Sequence, residues 1–329
     1  MIEMKVLFVC GGNNPDFRIA PFIVSQAESL RRQGIKVDFF IIEGKGISGY
    51  ASQIRPLRRM IRAGGYDLVH AHYTFSGWVA RLANHRVPLV VSYMGSDFAG
   101  IFRNDGRRRL KSLLMVAQGM LLNLFVKHII VKSEGQLKLL PLKKRGHIIP
   151  NGVDFNTFRP APMQEARNAL GLDPAKQFVL FLGNPSDPRK NFTLAREAFA
   201  IANRTVDIEL LCPYPVSHEK VPHYLNAANL LLFTSWFEGS SNLLKEALAC
   251  NCPVVATPAG DAEHLLSGVK SSAITGYLPE EAAGHIVRII GEGSRSDGRA
   301  CIAHLREEAV AERLIRLYQE CDLRSESDQ

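Results

Sequence analysis

The sequence predicts an α/β protein of two doubly wound, Rossmann-like domains facing each other across a cleft. Three observations carry this. Short apolar runs alternate with helix-period segments through the first half, the same grammar recurs in the second half, and prolines at 160 and 162 mark a connector between them. A length of 329 residues suits two cores of ordinary size.

The elements follow in order. Lys5–Cys10 is a buried strand that runs into Gly11-Gly12-Asn13-Asn14. A helix over Ala20–Gln33 ends at Gly34, and Lys36–Ile42 is the next strand. A helix over Gly49–Ala63 stops at Gly64-Gly65. Strands at Asp67–His72, Pro88–Ser92 and His128–Lys132 complete the first sheet, with a helix over Ser76–Ala83. In the second half Phe178–Leu182, Ile208–Cys212, Leu230–Phe233 and Pro253–Ala256 are strands, and Phe192–Ile201 is a helix. A last helix, Arg299–Cys321, is long and amphipathic. The expected domains are 1–158, then 159–300, with the helix of 301–323 returning to the first. Ligands of such sheets bind beyond the carboxyl ends of the strands.

The net charge of +8 is unevenly spread. Residues 1–160 hold 24 Lys/Arg and 10 Asp/Glu, a balance of +14; the remainder, with 16 and 22, sums to −6. Stacking aromatics are not interleaved with the basic residues, which argues against nucleic acid. An anionic membrane surface suits them better, because the run Arg107–Lys111 leads into the apolar stretch Ser112–Val126. That stretch is too short to span a bilayer. It reads first as a helix buried between strands and second as an interfacial segment. No signal peptide is read ahead of Met4-Lys5-Val6, so a cytoplasmic protein, peripheral on the inner face of the membrane, is expected. The six cysteines lack metal-ligand spacing, and most are expected to be buried small hydrophobes.

The richest segment is Phe233–Gly260. Leu230–Phe233 reads as a parallel strand, Gly239-Ser240-Ser241-Asn242 as a small-residue turn with N-cap residues, and Leu243, Leu244, Ala247 and Leu248 recur at helical spacing. A helix start fed by such a loop presents backbone N–H groups to a phosphate. Glu238 precedes the turn and Glu246 lies inside the helix, so two carboxylates can reach different hydroxyls of one ligand. In outline this is a nucleotide-sugar site.

Read together, Val9-Cys10-Gly11-Gly12, His70-Ala71-His72-Tyr73, Val90 through Asp97, Ile149 through Asp154, Phe181 through Asn184, and Glu238 through Glu246 resemble the family 4 retaining glycosyltransferases of GT-B fold. Within that family the chain is similar to members that assemble cell-surface polysaccharide. The resemblance implies transfer from a nucleotide diphosphate sugar, a UDP-sugar in first place, to a glycan or lipid-linked acceptor. It gives Glu238 to the donor sugar and Glu246 to the ribose. Gly183, Gly239 and the amides of Ser240, Ser241, Asn242 and Leu243 face sugar and diphosphate, where Lys190 and Arg189 supply positive charge. Gly12 lets the backbone approach the donor, and His72, Asp97 and Asn13 stand on the acceptor side. No cofactor and no metal are implied, since protein cations stabilise the leaving diphosphate.

The chain departs from the family pattern twice. Asn184 stands where an Arg usually follows the strand-end glycine, and Met94 stands where a His usually precedes Gly95. Either departure is compatible with a different donor or a weakened enzyme. The alternatives are a nucleotide-sugar 2-epimerase, a GT-B protein that binds donor without turnover, and a dehydrogenase. The last lacks the glycine fingerprint after its first strand.

Overall fold

In the computed structural model, which describes residues 4–13, 17–95 and 112–327, the chain forms two compact α/β units. The first comprises the described residues up to 152 together with those from 307 onward. The second runs from Val153 to Arg306.

The first unit is built on a six-stranded, wholly parallel sheet. Its strands are β1 (Lys5–Gly11), β2 (Lys36–Ile42), β3 (Leu68–His72), β4 (Leu89–Ser92), β5 (His128–Val131) and β6 (Gly146–Ile148), in the order β2-β1-β3-β4-β5-β6. Alternation assigns the side chains of β1 to two cores. Val6, Phe8 and Cys10 pack under the Pro21–Arg32 and Glu307–Ser327 helices, while Leu7 and Val9 face Leu57, Val79 and Leu122 from the helices on the other face.

The second unit has β7 (Phe178–Leu180), β8 (Glu209–Leu211), β9 (Leu230–Phe233), β10 (Val254–Ala256) and β11 (Ala273–Ile274), ordered β11-β10-β9-β7-β8 and again parallel. Val179, Leu230, Leu232 and Val255 face the Phe192–Ala202 and Pro279–Glu292 helices. Leu231, Phe233, Val254 and Ala256 face the Asn242–Ala249 helix. In both units the first strand lies between the second and the third, so each sheet has its topological switch point beside its first strand. The doubly wound α/β class expected from sequence is thus present twice.

Several boundaries differ from expectation, each for a local reason. The helix expected over Gly49–Ala63 is two helices, Gly46–Ser52 and Ile54–Gly64. Pro56 has no N–H to donate and is tolerated only in a first turn, so the helix restarts just before it. The expected Arg299–Cys321 helix is interrupted after Cys301 and resumes at Glu307. Between them Leu305 is buried in the second unit, where its carbonyl accepts from the Val153 amide at 2.9 Å. The guanidinium of Arg299 donates to the carbonyls of Phe155, Phe158 and Ala249. The stretch 112–126, first read as a buried helix, is helical over Leu113–Leu122 but buries only Gly119 and Leu122 there. Leu113, Leu114, Leu121, Leu124 and Phe125 stand exposed. The basic run 107–111 lies outside the described residues. Cys10, Cys250, Cys252 and Cys321 are buried, as expected, and burial pushes the Cys10 and Cys250 thiols up to about 12. Among the described residues no helix is long and apolar enough to cross a membrane.

Candidate functional site

In the second unit the exits of β7 and β9 flank the switch point, and the sequence there is folded into one site. After β7 the chain passes Gly183 and enters the short Pro188–Lys190 turn, whose first amides are organised by Asp187: its carboxylate accepts from Arg189 N at 2.9 Å. This turn presents two cations. The Lys190 stem runs past Gly183, where an added Cβ would meet Lys190 Cγ at 3.5 Å. Lys190 Nζ lies 2.6 Å from Glu238 Oε1, and Arg189 Nη1 lies 3.8 Å from Glu238 Oε2. Arg189 is also paired with Asp187 at 3.2 Å.

The β9 exit is stitched to that turn through its backbone. The buried Thr234 hydroxyl is within reach of the carbonyls of Lys190 at 2.9 Å and Asn191 at 3.0 Å, and Trp236 N donates to Arg189 O at 2.9 Å. Thr257, after β10, donates to Ser235 O at 2.7 Å. Glu238 is thereby held by three strand ends. Gly260, at φ +70°, closes the same loop: a Cβ there would stand 2.9 Å from the Glu238 carbonyl oxygen and 3.0 Å from that of Gly239. The polypeptide tolerates only glycine at that approach.

Ser241 caps the Asn242–Ala249 helix, its hydroxyl accepting from Leu244 N at 3.4 Å. The amides ahead of it, in the first turn, have no carbonyl four residues back within the helix. Glu246 projects from this helix to His218, whose Nε2 lies 3.1 Å from Glu246 Oε1. His218 packs edge-on against Phe158, with ring centroids 5.3 Å apart. The hydrogen bond to Glu246 raises the His218 pKa above the usual imidazole value against the opposing effect of burial.

Arg189, Lys190, Gly183, Glu238, Gly239, Ser240, Ser241, Asn242, Leu243 and Glu246, all expected at the site, lie on these few connected segments. His218, Lys245 and Asp261, which the sequence does not single out, lie close to the same segments. Lys245 is wholly buried, and burial lowers its pKa to about 8 although Asp261 and Glu246 pull the other way. Burial raises Asp261 in turn, with Lys245 and the Ser240 hydroxyl opposing. A lysine set among Leu244, Ala247 and Leu248 on the inward face of the helix was the available signal. Asn184 forms no part of the cation set. Its side-chain oxygen accepts from Ser186 N at 2.9 Å and shapes the turn.

The remaining expected residues belong to the first unit. Gly12 donates its amide to Ile42 O at 2.9 Å, and a Cβ there would collide with Ile41 at 2.4 Å. Asn13 exchanges two 2.9 Å hydrogen bonds with the backbone of Gly44, so its amide fixes the loop after β2. His72 has no exposed surface. Its Nε2 lies 3.0 Å from Gln26 Oε1, and burial lowers its pKa to about 3. His70 stacks on it and bonds Tyr318 and Ser92. Asp97 lies outside the described residues.

Known proteins resemble this chain in sequence and in fold. Residues 5–157 match the model of Glycosyltransferase Family 4, and residues 211–292 match that of Glycosyl transferases group 1. The D-inositol 3-phosphate glycosyltransferase of Mycobacterium sp. (strain JLS) is 27% identical over 276 residues, covering 73% of this chain and 63% of the relative. The chain thus spans a little under two thirds of the length of these curated relatives. Sucrose-phosphate synthase from Thermosynechococcus elongatus superposes with a TM-score of 0.80 at 18% identity, over 97% of this chain and 99% of that one. Anabaena HepE in complex with UDP and glucose gives a TM-score of 0.71, also at 18% identity, over 97% of this chain and 100% of its own.

Proposed function

Because the chain belongs to the family 4 glycosyltransferases and has their GT-B fold, we propose that it is a retaining, hexosyltransferase-type enzyme using a nucleotide diphosphate sugar. The reading favours a UDP-sugar as donor and a glycan or lipid-linked acceptor in surface polysaccharide assembly. The observation that carries it is the convergence of Lys190 and Arg189 on Glu238, beside the Ser241-capped helix that bears Glu246.

Each part has a chemical task. Glu238 accepts hydroxyl protons of the donor sugar, and Glu246 those of the ribose. The first-turn amides and Lys190 meet the diphosphate, whose negative charge grows as the glycosidic bond breaks. Fixed dipoles and cations placed there stabilise the transition state more than the ground state. With charge supplied by side chains, transfer needs no divalent cation, so activity unchanged in excess chelator is expected. Gly12, Asn13, His72 and Asp97 are given to the first unit's share of the work. Its basic residues are given to an anionic membrane surface, with a cytoplasmic location. HepE, solved with UDP and glucose, supports uridine as the base.

A thermal-shift panel of UDP, GDP, ADP and their sugars tests the donor. Ligand at a hundred times its Kd adds about 2.7 kcal/mol of stability, so the right nucleotide stands out. Absence of any nucleotide shift would sink the reading. One observation favours a second reading, donor binding without turnover: Arg189 is shared with Asp187, and Asn184 offers no charge. Steady release of nucleotide diphosphate with a competent acceptor would dismiss it.

A further inference from the structure

The first unit carries a groove that takes in none of the residues given to the donor; Asn13, given to the acceptor side, stands at its wall. It is about 640 Å³ in volume, within the range of small-molecule sites of about 300–1,000 Å³. Its walls come from the Gly46–Ser52, Thr74–Ala83 and Leu113–Leu122 helices and are almost wholly apolar: Ile47, Phe75, Trp78, Leu82 and Leu121 line it. These residues are not core. Ile47 is 85% exposed, and Leu82 and Leu121 are each about half exposed. Beyond Leu121 the apolar surface continues over Leu124 and Phe125, with Leu114, 74% exposed, on the same helix. A soluble monomer rarely leaves a connected patch of this kind uncovered.

Among the described residues the charge around the groove is positive. Lys45 stands at its wall. Arg58 donates to the carbonyls of Leu82 and Ala83, and Arg81 donates to the carbonyl of Phe125, which fixes both guanidinium groups beside the exposed apolar residues. Residues 44–66 and 68–95 contain no Asp or Glu and include Lys45, Arg55, Arg58, Arg59, Arg62, Arg81 and Arg86. Glu43, just ahead of this segment, is already paired with Arg18. The complementary occupant is therefore a hydrocarbon chain whose head group is anionic.

We propose that this groove seats an acyl chain of an anionic membrane lipid and so docks the protein on the bilayer surface, with Lys45, Arg58 and Arg81 at the level of the head groups. Apolar insertion and basic residues combine in this way at interfaces, whereas either alone holds a protein weakly. The proposal rests on the membrane-surface part of the reading above and is independent of the nucleotide-sugar site.

The test uses the full chain with vesicles of phosphatidylglycerol and phosphatidylcholine, some carrying brominated acyl chains. Trp78 lines the groove and reports chain entry by quenching. Binding that requires phosphatidylglycerol is expected, with quenching that disappears in Trp78→Phe. Leu82→Gln combined with Leu121→Gln should weaken binding at least tenfold and abolish quenching, at unchanged net charge. Ile47→Gln, at a position too exposed to affect folding, should give a smaller loss in the same direction. The nucleotide-induced thermal shift of these variants should equal that of the parent, which separates this proposal from the donor-site reading. Equal vesicle binding by parent and double variant would mean docking by charge alone and would overturn the proposal. So would a concentration-dependent dimer in sedimentation velocity that the double variant abolishes, because the groove would then be covered by a second copy.

Discussion

Lys190 Nζ and Glu238 Oε1 meet at 2.6 Å, although 48 residues separate them in the chain. Both side chains are mostly buried, at 19% and 12% exposure. Neither is held by its own strand alone. Thr234 and Trp236 bind the backbone of the Lys190 turn to the β9 exit, so cation and carboxylate are placed by one shared set of hydrogen bonds.

Lys190→Ala should lower donor-dependent turnover at least tenfold, or about 1.4 kcal/mol in the barrier. On the proposed donor site it removes charge from the leaving group, and it leaves Glu238 without its closest partner. Because the two residues touch, Lys190→Ala and Glu238→Gln should be non-additive, with a coupling of roughly 0.5–3 kcal/mol in a double-mutant cycle. Additive losses, or full activity in Lys190→Ala, would remove the pair from the site.

His218 and Glu246 form the second contact, and its sign is testable. The His218 pKa is raised by the Glu246 hydrogen bond. Its contribution to stability is therefore fully present below the unfolded imidazole pKa and is lost as pH rises through the raised folded value. An NMR titration should place His218 above the ordinary imidazole range, and Glu246→Gln should bring it down. A His218 titration indifferent to Glu246→Gln would show that the contact does not persist in solution.

Much of this was legible in the sequence, for physical reasons that also mark where legibility ends. A buried parallel strand is a continuous apolar run, so Lys5–Cys10 and Leu230–Phe233 stand out. β6 and β11, only three and two residues long, leave no such run. The Ser241 cap was readable because capping is local. His218 was not, since nothing near it in sequence shows that it will face Glu246. Lys245 and Asp261 do not stand out because 16 residues separate them in the chain and only the fold brings their charges to bear on each other. The exposed face of the Leu113–Leu122 helix was misread for a related reason. Composition reports how apolar a helix is, not how much of it a sheet can cover.

The first unit should be acid-labile through His72. Burial lowers its pKa to about 3 from 6.5, so between those values the unfolded chain binds a proton that the folded protein excludes. Stability therefore rises with pH across that window and falls on acidification below about 6.5, by an amount of order 5 kcal/mol when complete. His72→Gln keeps a hydrogen-bonding side chain without the titration. In urea denaturation at pH 7 and pH 5, it should lose less stability between the two than the parent. Equal losses would show that His72 does not carry the acid sensitivity.

Gly260 offers the sharpest separation of backbone strain from site geometry. Its φ of +70° disfavours any side chain, and a methyl group would also press on the carbonyl oxygens of Glu238 and Gly239. Gly268 has nearly the same φ, +76°, but an added Cβ there meets nothing within 4 Å. Alanine at either position should cost about 1 kcal/mol of stability from backbone strain. Only Gly260→Ala should displace the loop that carries Glu238. Gly268→Ala is therefore expected to melt earlier yet keep its nucleotide-induced thermal shift, while Gly260→Ala should lose most of that shift as well. If both variants respond to nucleotide like the parent, the close approach at Gly260 has no bearing on the donor site, and its glycine answers to backbone conformation alone.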